Sequence, residues 1–352
     1  MKAFLFVVLV WINVYSDNEI NYNPRLTQYV MQKHLLKDSN FYLVDVGASG
    51  GIAQHWKAFG KDLSGFGFDP LVNECARLNA LNTCPKFRYL SCYIVSGNES
   101  VDQYARLESA NFYETTGKFA RSSAWKMMQL LQMNYGKEAF NQGEELILSH
   151  DQISLDAFFL KNGVKSVDFI KIDTDGFDYS VLKGSEKLLN DENMIGILVE
   201  CHFNAAHHPY ANSFRNIDSF LAEKGFSLFD LSVWRYTKGE LPGKFVYKIP
   251  AQTISGQVTW GDAFYLRDFI QMQKMGKQIP TAQILKMACV QEIFGLPDCA
   301  AELLLTFRDQ LKLTIDVDHC LDLLAADMGL YSSYRKHLNR FQKNPTQFYP
   351  TK

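Results

Sequence analysis

Short apolar segments of strand length alternate with amphipathic segments of helical length through the middle of the chain. Runs that are apolar at nearly every position are typical of strands buried on both faces of a sheet. Strands separated by helices favour an α/β fold with a doubly wound, mostly parallel sheet. The predicted strands are Phe41–Val46 and residues 64–68, 87–95, 167–173, 195–199 and 226–231, with a last strand at 263–266 that would pair antiparallel.

Helical periodicity fills most of the connections between these strands. The predicted helices span residues 24–36, 52–59, 153–160, 179–189 and 212–224. The pattern weakens over residues 99–149, where it leaves Arg121, Ser122 and Ser123 and a helix at 124–133. So long an irregular stretch is either a lid over a ligand cleft or a surface insertion without a role in chemistry.

The last part of the chain has a different pattern. Residues 270–341 are helical in spacing, with breaks near Pro280, Pro297 and Gly329. We therefore predict a hydrophobic segment and entry helix at 1–40, one α/β domain at 41–268 and a helical region at 269–352. The helical region is a candidate for packing, for covering the cleft or for formation of a homo-oligomer.

The most informative local feature is the turn after the first strand. Asp45 stands near the end of that strand, and Gly47, Gly50 and Gly51 follow it. Glycine permits a tight turn and a close approach of the backbone to a ligand. Dinucleotide sites use G-x-G-x-x-G, and here Ser49 occupies the position of the second glycine. The turn therefore favours an adenosine cofactor without a pyrophosphate, such as S-adenosylmethionine, over NAD.

Charge and cysteine content restrict the class of protein. The net charge of -2 provides no basic field for nucleic acid. Seven scattered cysteines without a C-x-x-C pair argue against a zinc site or a disulfide framework. Reduced thiols favour a cytoplasmic protein, although the apolar run within residues 3–15 resembles a signal peptide.

Several acidic residues follow predicted strands at the edge of the sheet where ligands bind. Asp69 ends the second strand 22 residues after Gly47, close to the spacing of an acid that binds ribose hydroxyls. Asp173 ends the strand at 167–173, and Asp175 follows it. The alternatives are a turn acid for Asp69 and a helix cap for Asp175.

The strand at 195–199 runs into Glu200 and His202. Asp175 and His202 are our candidates for a general base, since each would stand just past a strand end and histidine titrates near neutral pH. His202 is equally well explained as a structural histidine. Glu200, His202 and Asp173 are chemically able to bind magnesium, but we predict no metal site.

With these residues in view, the chain resembles the FkbM family of S-adenosylmethionine-dependent methyltransferases. The matching segments are 44–51 (VDVGASGG), 67–70 (GFDP) and 170–184 (IKIDTDGFDYSVLKG), with weaker ones at 154–156 and 197–200. The third segment is the most specific. Asp175 and Asp178 stand where the family usually has glutamate, and Phe177 also departs from the usual pattern.

The resemblance implies a Rossmann-like, seven-stranded class I methyltransferase fold and methyl transfer, usually to an oxygen of a sugar or secondary metabolite. It also implies that Asp45 and the glycine turn face the methionine and ribose portions of the cofactor. Asp69 would bind the ribose and Asp173 the amino-acid end. The competing hypotheses are a non-catalytic methyltransferase-like binding module and a nucleotide-dependent oxidoreductase.

Overall fold

The computed structural model of the chain describes residues 20–110, 147–164, 166–236, 253, 256–327 and 333–348. Some predictions therefore lie outside the described residues. They concern the N-terminal apolar run at 3–15, Arg121, Ser122 and Ser123, the helix at 124–133 and the break at Gly329.

A seven-stranded sheet forms the centre of the fold, with the strand order β3-β2-β1-β6-β7-β9-β8. The pairings β2–β3, β1–β6 and β6–β7 are parallel, whereas β9 is antiparallel to both β7 and β8. A mostly parallel sheet of this kind, with helices between its strands, confirms the predicted Rossmann-like α/β class. The strands are β1 Phe41–Val46, β2 Leu63–Asp69, β3 Phe87–Ser91, β6 Phe169–Ile172, β7 Gly196–His202, β8 Phe226–Tyr236 and β9 Gln257–Arg267.

Helices connect the strands and continue after β9. Those before β9 are α1 Arg25–Gln32, α2 Val72–Leu81, α3 Glu99–Ala110, α4 Leu155–Asn162, α5 Asp178–Lys183, α6 Glu186–Leu189 and α7 Phe214–Glu223. Those after it are α8 Phe269–Lys274, α9 Thr281–Ile293, α10 Pro297–Thr306, α11 Arg308–Leu311, α12 Val317–Asp327 and α13 Tyr334–Lys343. Within the described ranges, 3₁₀ helices span Gln54–Asp62 and Pro345–Phe348.

The predicted third strand at 87–95 is in fact two strands. The second strand, β4 (Tyr93–Ile94), leaves the main sheet and pairs with β5 (Gln152–Ile153). Cys92 N still donates to Asp69 O at 3.1 Å, but β2 ends there and Pro70 follows. Proline has no N–H group with which to continue a hydrogen-bonded ladder. The residues after β3 therefore pair with β5 instead of β2.

Three other elements differ from the sequence predictions. The helix predicted at 179–189 breaks at Gly184. A Cβ at this position would lie 2.2 Å from Val95 O, so the backbones of residues 184 and 95 are in close contact. The stretch 99–110, predicted as irregular, is the helix α3. The segment after the glycine turn is a 3₁₀ helix kinked at Gly60 rather than an α-helix at 52–59.

Contacts along the chain define two compact units. The first includes Tyr42–Ile52 and Gly65–Arg267 and so contains most of the sheet. The second includes Ala53–Ser64, the helix α1 and the helices that follow Arg267. The domain boundaries proposed from the sequence, 1–40, 41–268 and 269–352, stay a prediction. Among the described residues, no helix is long and apolar enough to cross a membrane.

A buried carboxyl group organises the second unit. Glu292 on α9 is 1% exposed, and its two oxygens accept hydrogen bonds from Leu26 N and Thr27 N at 2.7 Å and from Thr27 Oγ1 at 2.7 Å. These amides belong to the first turn of α1, which has no side-chain cap from its own N-cap residue, Pro24. Glu292 therefore satisfies the helix terminus from another helix.

We expect Glu292→Ala to lower the free energy of unfolding of the second unit by about 3 kcal/mol, because two buried amides of α1 lose their acceptor. Thermal and chemical denaturation measure this loss. Glu302→Ala on α10 is the matched control, since Glu302 is exposed. Equal stability of the two variants would contradict the capping role.

Candidate active site

The glycine turn is held by the end of β2. Gly47 N and Ala48 N donate to Phe68 O at 2.9 and 3.0 Å. Gly47 has a φ of +81°, and a Cβ there would lie 1.8 Å from Asp173 O. Only glycine fits, because both the left-handed backbone and the close approach of the segment after β6 exclude a side chain.

The remaining amides of the turn are also engaged. Gly50 N donates to Glu74 Oε1 at 2.9 Å, Gly51 N to Ala48 O at 2.9 Å, and Ile52 N to Tyr89 Oη at 3.1 Å. The carboxyl group of Asp69 accepts from the Ser49 amide. A pyrophosphate site needs amides that point at the ligand. The geometry agrees with the sequence argument that this turn does not carry one.

Lys171 is the one cation at the centre of the site among the described residues, and the sequence reasoning gave it no role. It lies opposite Asp45 in the β1–β6 pairing. Its Nζ is 3.2 Å from Asp45 Oδ1 and 3.4 Å from Asp173 Oδ2, and it donates to Gly47 O at 3.1 Å. The lysine thus joins three of the predicted cofactor-binding residues.

Electrostatics keep this lysine charged. Burial alone would lower the pKa of Lys171, but Asp45 and Asp173 raise it above the ordinary value of lysine. Burial raises the pKa of Asp45, and Lys171 opposes that rise. Asp45 is 4% exposed, so the ion pair is largely shielded from solvent and has few competing water contacts.

Asp69 stands at the end of β2, beside the glycine turn. It is 5% exposed, and its Oδ1 accepts from Leu71 N at 2.9 Å. Burial raises the pKa of Asp69 to about 6, and the nearby Glu74 also raises it. Its hydrogen bond with Ser49 attaches it to the turn, so the two predicted parts of the cofactor site do meet.

The loop between β6 and α5 is organised by Asp178, which is fully buried. Asp178 Oδ1 accepts from Thr174 N at 2.8 Å and Thr174 Oγ1 at 2.9 Å. Its Oδ2 accepts from Gly176 N at 3.2 Å and from Asn212 Nδ2 at 2.7 Å. Burial, followed by the charge of Asp173, raises the pKa of Asp178 to about 6.

Asp175 lies inside this loop with a φ of +52°, a left-handed conformation that few residues other than glycine adopt. Its side chain is buried, and burial together with Asp173 and Asp178 raises its pKa well above the usual range. The alternative that Asp175 caps the following helix is wrong. That helix has Phe177 as its N-cap residue with no side-chain cap, and the loop amides bind Asp178 instead.

The second candidate base is part of a strand. β7 continues through Glu200 to His202, so both residues lie within the strand and not beyond its end as predicted. Burial lowers the pKa of His202 to about 4, which leaves the imidazole neutral at pH 7. Its Nε2 is 3.9 Å from Glu200 Oε1.

Glu200 faces another carboxyl group that the sequence did not single out. Asp262 on β9 pairs with Glu200 in the antiparallel register. Burial raises the pKa of Asp262 to about 8, and burial with the neighbouring acids raises that of Glu200 well above its usual value. Both groups therefore tend to hold a proton at neutral pH, because burial disfavours their charged forms and the neighbouring acids add repulsion.

The predicted site residues fall into two linked groups. Lys171 brings Asp45, Gly47 and Asp173 together, and the turn contacts Asp69. Asp175 and His202 come from separate segments that meet through Asp178 and Asn212, since His202 N donates to Asn212 O at 3.0 Å. Within the part of the chain that the structure describes, no group of three or more His, Cys, Asp or Glu side chains is arranged to hold a metal ion.

The sequence matches a known protein family. The sequence model of a family described as methyltransferase FkbM domain matches residues 45–228, which is just over half of the chain and includes every predicted site residue. A search of curated proteins found no match.

We expect Lys171→Met to lower the free energy of unfolding by about 3 kcal/mol, because it leaves the buried carboxylate of Asp45 and the partly buried carboxylate of Asp173 without their cation. Burial already raises the pKa of Asp45, and without Lys171 nothing opposes that rise, so the pKa of Asp45 lies further above that of the unfolded chain. The loss should therefore be smaller at about pH 5 than at about pH 8. Denaturation at both pH values measures it. Lys187→Met is the control at an exposed lysine of the same unit, and a pH-independent loss would contradict the argument.

Proposed function

Because the chain belongs to the FkbM methyltransferase family, we propose that this methyltransferase uses S-adenosylmethionine and methylates a hydroxyl oxygen of a small molecule. The acceptor class that we propose is a sugar or a secondary metabolite. The observation that carries the proposal is the arrangement of Asp45, Asp69 and Asp173 around the glycine turn and Lys171.

The residues at the turn fit this cofactor chemically. Asp69 has two carboxylate oxygens, the acceptors that a ribose diol needs. Ser49 Oγ is buried and has no hydrogen-bond partner among the described residues, so it is available to a ligand. The engaged amides of the turn suit a ligand without phosphates.

The charge of the site also supports a cationic ligand. Asp45 and Asp173 place two carboxylates beside the ammonium group of Lys171. Burial and the repulsion of Asp173 raise the pKa values of Asp175, Asp178, Glu200 and Asp262. A sulfonium and an ammonium group on a ligand would reduce this repulsion. NAD, with its two phosphates, would increase it, which is the physical argument against the oxidoreductase alternative.

When bound, S-adenosylmethionine would supply an activated methyl group, since its positively charged sulfur is a good leaving group for attack by an acceptor oxygen. We assign Asp45 and the glycine turn to the methionine and ribose portions, Asp69 to the ribose and Asp173 to the amino group. The main contribution of the protein is to hold the acceptor oxygen against the methyl group. A base that takes the hydroxyl proton adds to the rate.

Asp175 and His202 remain the two candidates for this base. His202 is neutral at pH 7 and so has a nitrogen lone pair that accepts a proton, although its low pKa makes it a weak base. Asp175 is a stronger base when ionised, since burial and neighbouring acids raise its pKa. A non-catalytic module is the second candidate function, and detectable turnover on any hydroxylated acceptor would reject it.

We expect the purified chain to bind S-adenosylhomocysteine in calorimetric titration and to show no measurable affinity for NAD. Asp69→Asn should raise the dissociation constant at least about tenfold, because one of the two acceptor oxygens for the ribose is lost. Asp151→Asn is the control at an exposed acid of the same unit. Unchanged affinity of the Asp69 variant would remove the ribose assignment, and tight binding of NAD would revive the oxidoreductase.

The pH dependence of kcat/KM on an acceptor found by screening should distinguish the two bases. If His202 is the base, the rate stays constant on acidification until the pH approaches its pKa of about 4. If Asp175 is the base, the rate also falls on acidification, but the fall begins at a pH above the usual pKa range of aspartate, because the pKa of Asp175 is raised. Of the two variants His202→Gln and Asp175→Asn, only the one that removes the base should lower kcat by about 100-fold or more.

A further inference from the structure

The two candidate bases are far apart in the sequence, yet one buried pair of side chains connects them. Asp178 at the start of α5 and Asn212 before α7 are both fully buried, and Asn212 Nδ2 donates to Asp178 Oδ2 at 2.7 Å. Neither residue is among the groups that we assign to the cofactor or to proton transfer.

Asp178 holds the backbone on both sides of Asp175. One carboxylate oxygen binds the amide of Thr174 and the other binds the amide of Gly176. The residue between these amides has a φ of +52°. A left-handed conformation at a residue other than glycine is costly and persists only where the surroundings enforce it. The hydrogen bonds of Asp178 to the amides on both sides of Asp175 enforce this conformation.

Asn212 continues the connection to β7. Its backbone oxygen accepts from His202 N at 3.0 Å, and its side-chain oxygen accepts from Tyr179 N at 2.9 Å. Its own amide donates to Glu108 Oε2 on α3 at 2.7 Å. Asn212 therefore fixes the end of β7 relative to the start of α5, where Asp178 lies.

We propose that Asp178 and Asn212 form a positioning pair, which holds the backbones of both candidate bases in one fixed arrangement. The inference rests on the proposed function, since positioning matters for catalysis only if Asp175 or His202 accepts the proton. Either base then depends on both members of the pair. Asn212 should affect Asp175 although 37 positions separate them in the sequence.

Hydrogen–deuterium exchange of the full chain tests the connection without a known acceptor. We expect Asp178→Asn and Asn212→Ala each to raise exchange roughly tenfold or more in both segments, 173–177 and 200–204, because a hydrogen bond to a charged group is lost. The double variant should add little to either single one, since the pair acts as a unit. Asn212→Ser is the milder substitute if the alanine variant does not fold.

Asn82→Ala is the matched control. Asn82 Nδ2 donates to Cys84 O at 2.9 Å and Phe87 O at 2.6 Å, and its Oδ1 accepts from Cys84 N at 2.9 Å. This asparagine makes comparable side-chain hydrogen bonds near the first residue of β3, so its loss should leave both segments unchanged. Exchange that rises only beside each substitution, or by the same factor throughout the sheet, would overturn the positioning pair.

A kinetic readout separates positioning from mere stabilisation. With an acceptor from the screen, Asp178→Asn and Asn212→Ala should lower kcat about tenfold or more and leave KM for S-adenosylmethionine within about threefold. Asp178→Glu, which keeps a carboxylate, should recover part of the loss. Unchanged kcat together with linked exchange would overturn the catalytic part of the inference. Failure of the proposed function would show separately, as absent binding of S-adenosylhomocysteine by the unsubstituted chain.

Discussion

The buried ion pairs of Lys171 are the interaction on which the rest of the site depends. One ammonium group holds Asp45 at the end of β1 and Asp173 after β6, and it also binds the carbonyl of Gly47. Two carboxylates in a largely dry place would repel each other without it. The lysine joins these strand ends at the place where the glycine turn approaches the Asp173 backbone closely enough to exclude any side chain.

The sheet explains why so many acids meet where they do. Parallel strands end at one edge, so the residues that follow them share a small region. The antiparallel β9 then brings Asp262 beside Glu200 from the opposite chain direction. The result is a site in which some carboxyl groups are charged and others hold protons. The protonation states are set first by burial, and then by which acids lie next to Lys171 and which lie next to another acid.

The sequence predicted what local patterns encode. Apolar runs identified the strands. The glycines with Asp45 and Asp69 predicted where a cofactor would bind, and the structure brings these residues together, but their cofactor role stays a prediction. Patterns failed where the decisive contact lies far away in the chain. Glu200 and His202 are polar, so nothing local indicated that β7 continues through them. Asn212 and Asp262 belong to no motif, and their importance comes only from Asp178 and Glu200, their partners in the fold.

The engaged amides of the glycine turn have a consequence for selectivity inside a cell. Most abundant adenosine compounds carry phosphates, and they compete with S-adenosylmethionine through the adenosine that they share with it. This turn offers a phosphate no free amide, and the carboxylates of Asp45 and Asp69 lie beside it. Under the proposed use of S-adenosylmethionine, discrimination would therefore arise by rejection of the competitors as much as by attraction of the cofactor. The turn would need no rearrangement to exclude phosphates, because its amides already form hydrogen bonds within the protein.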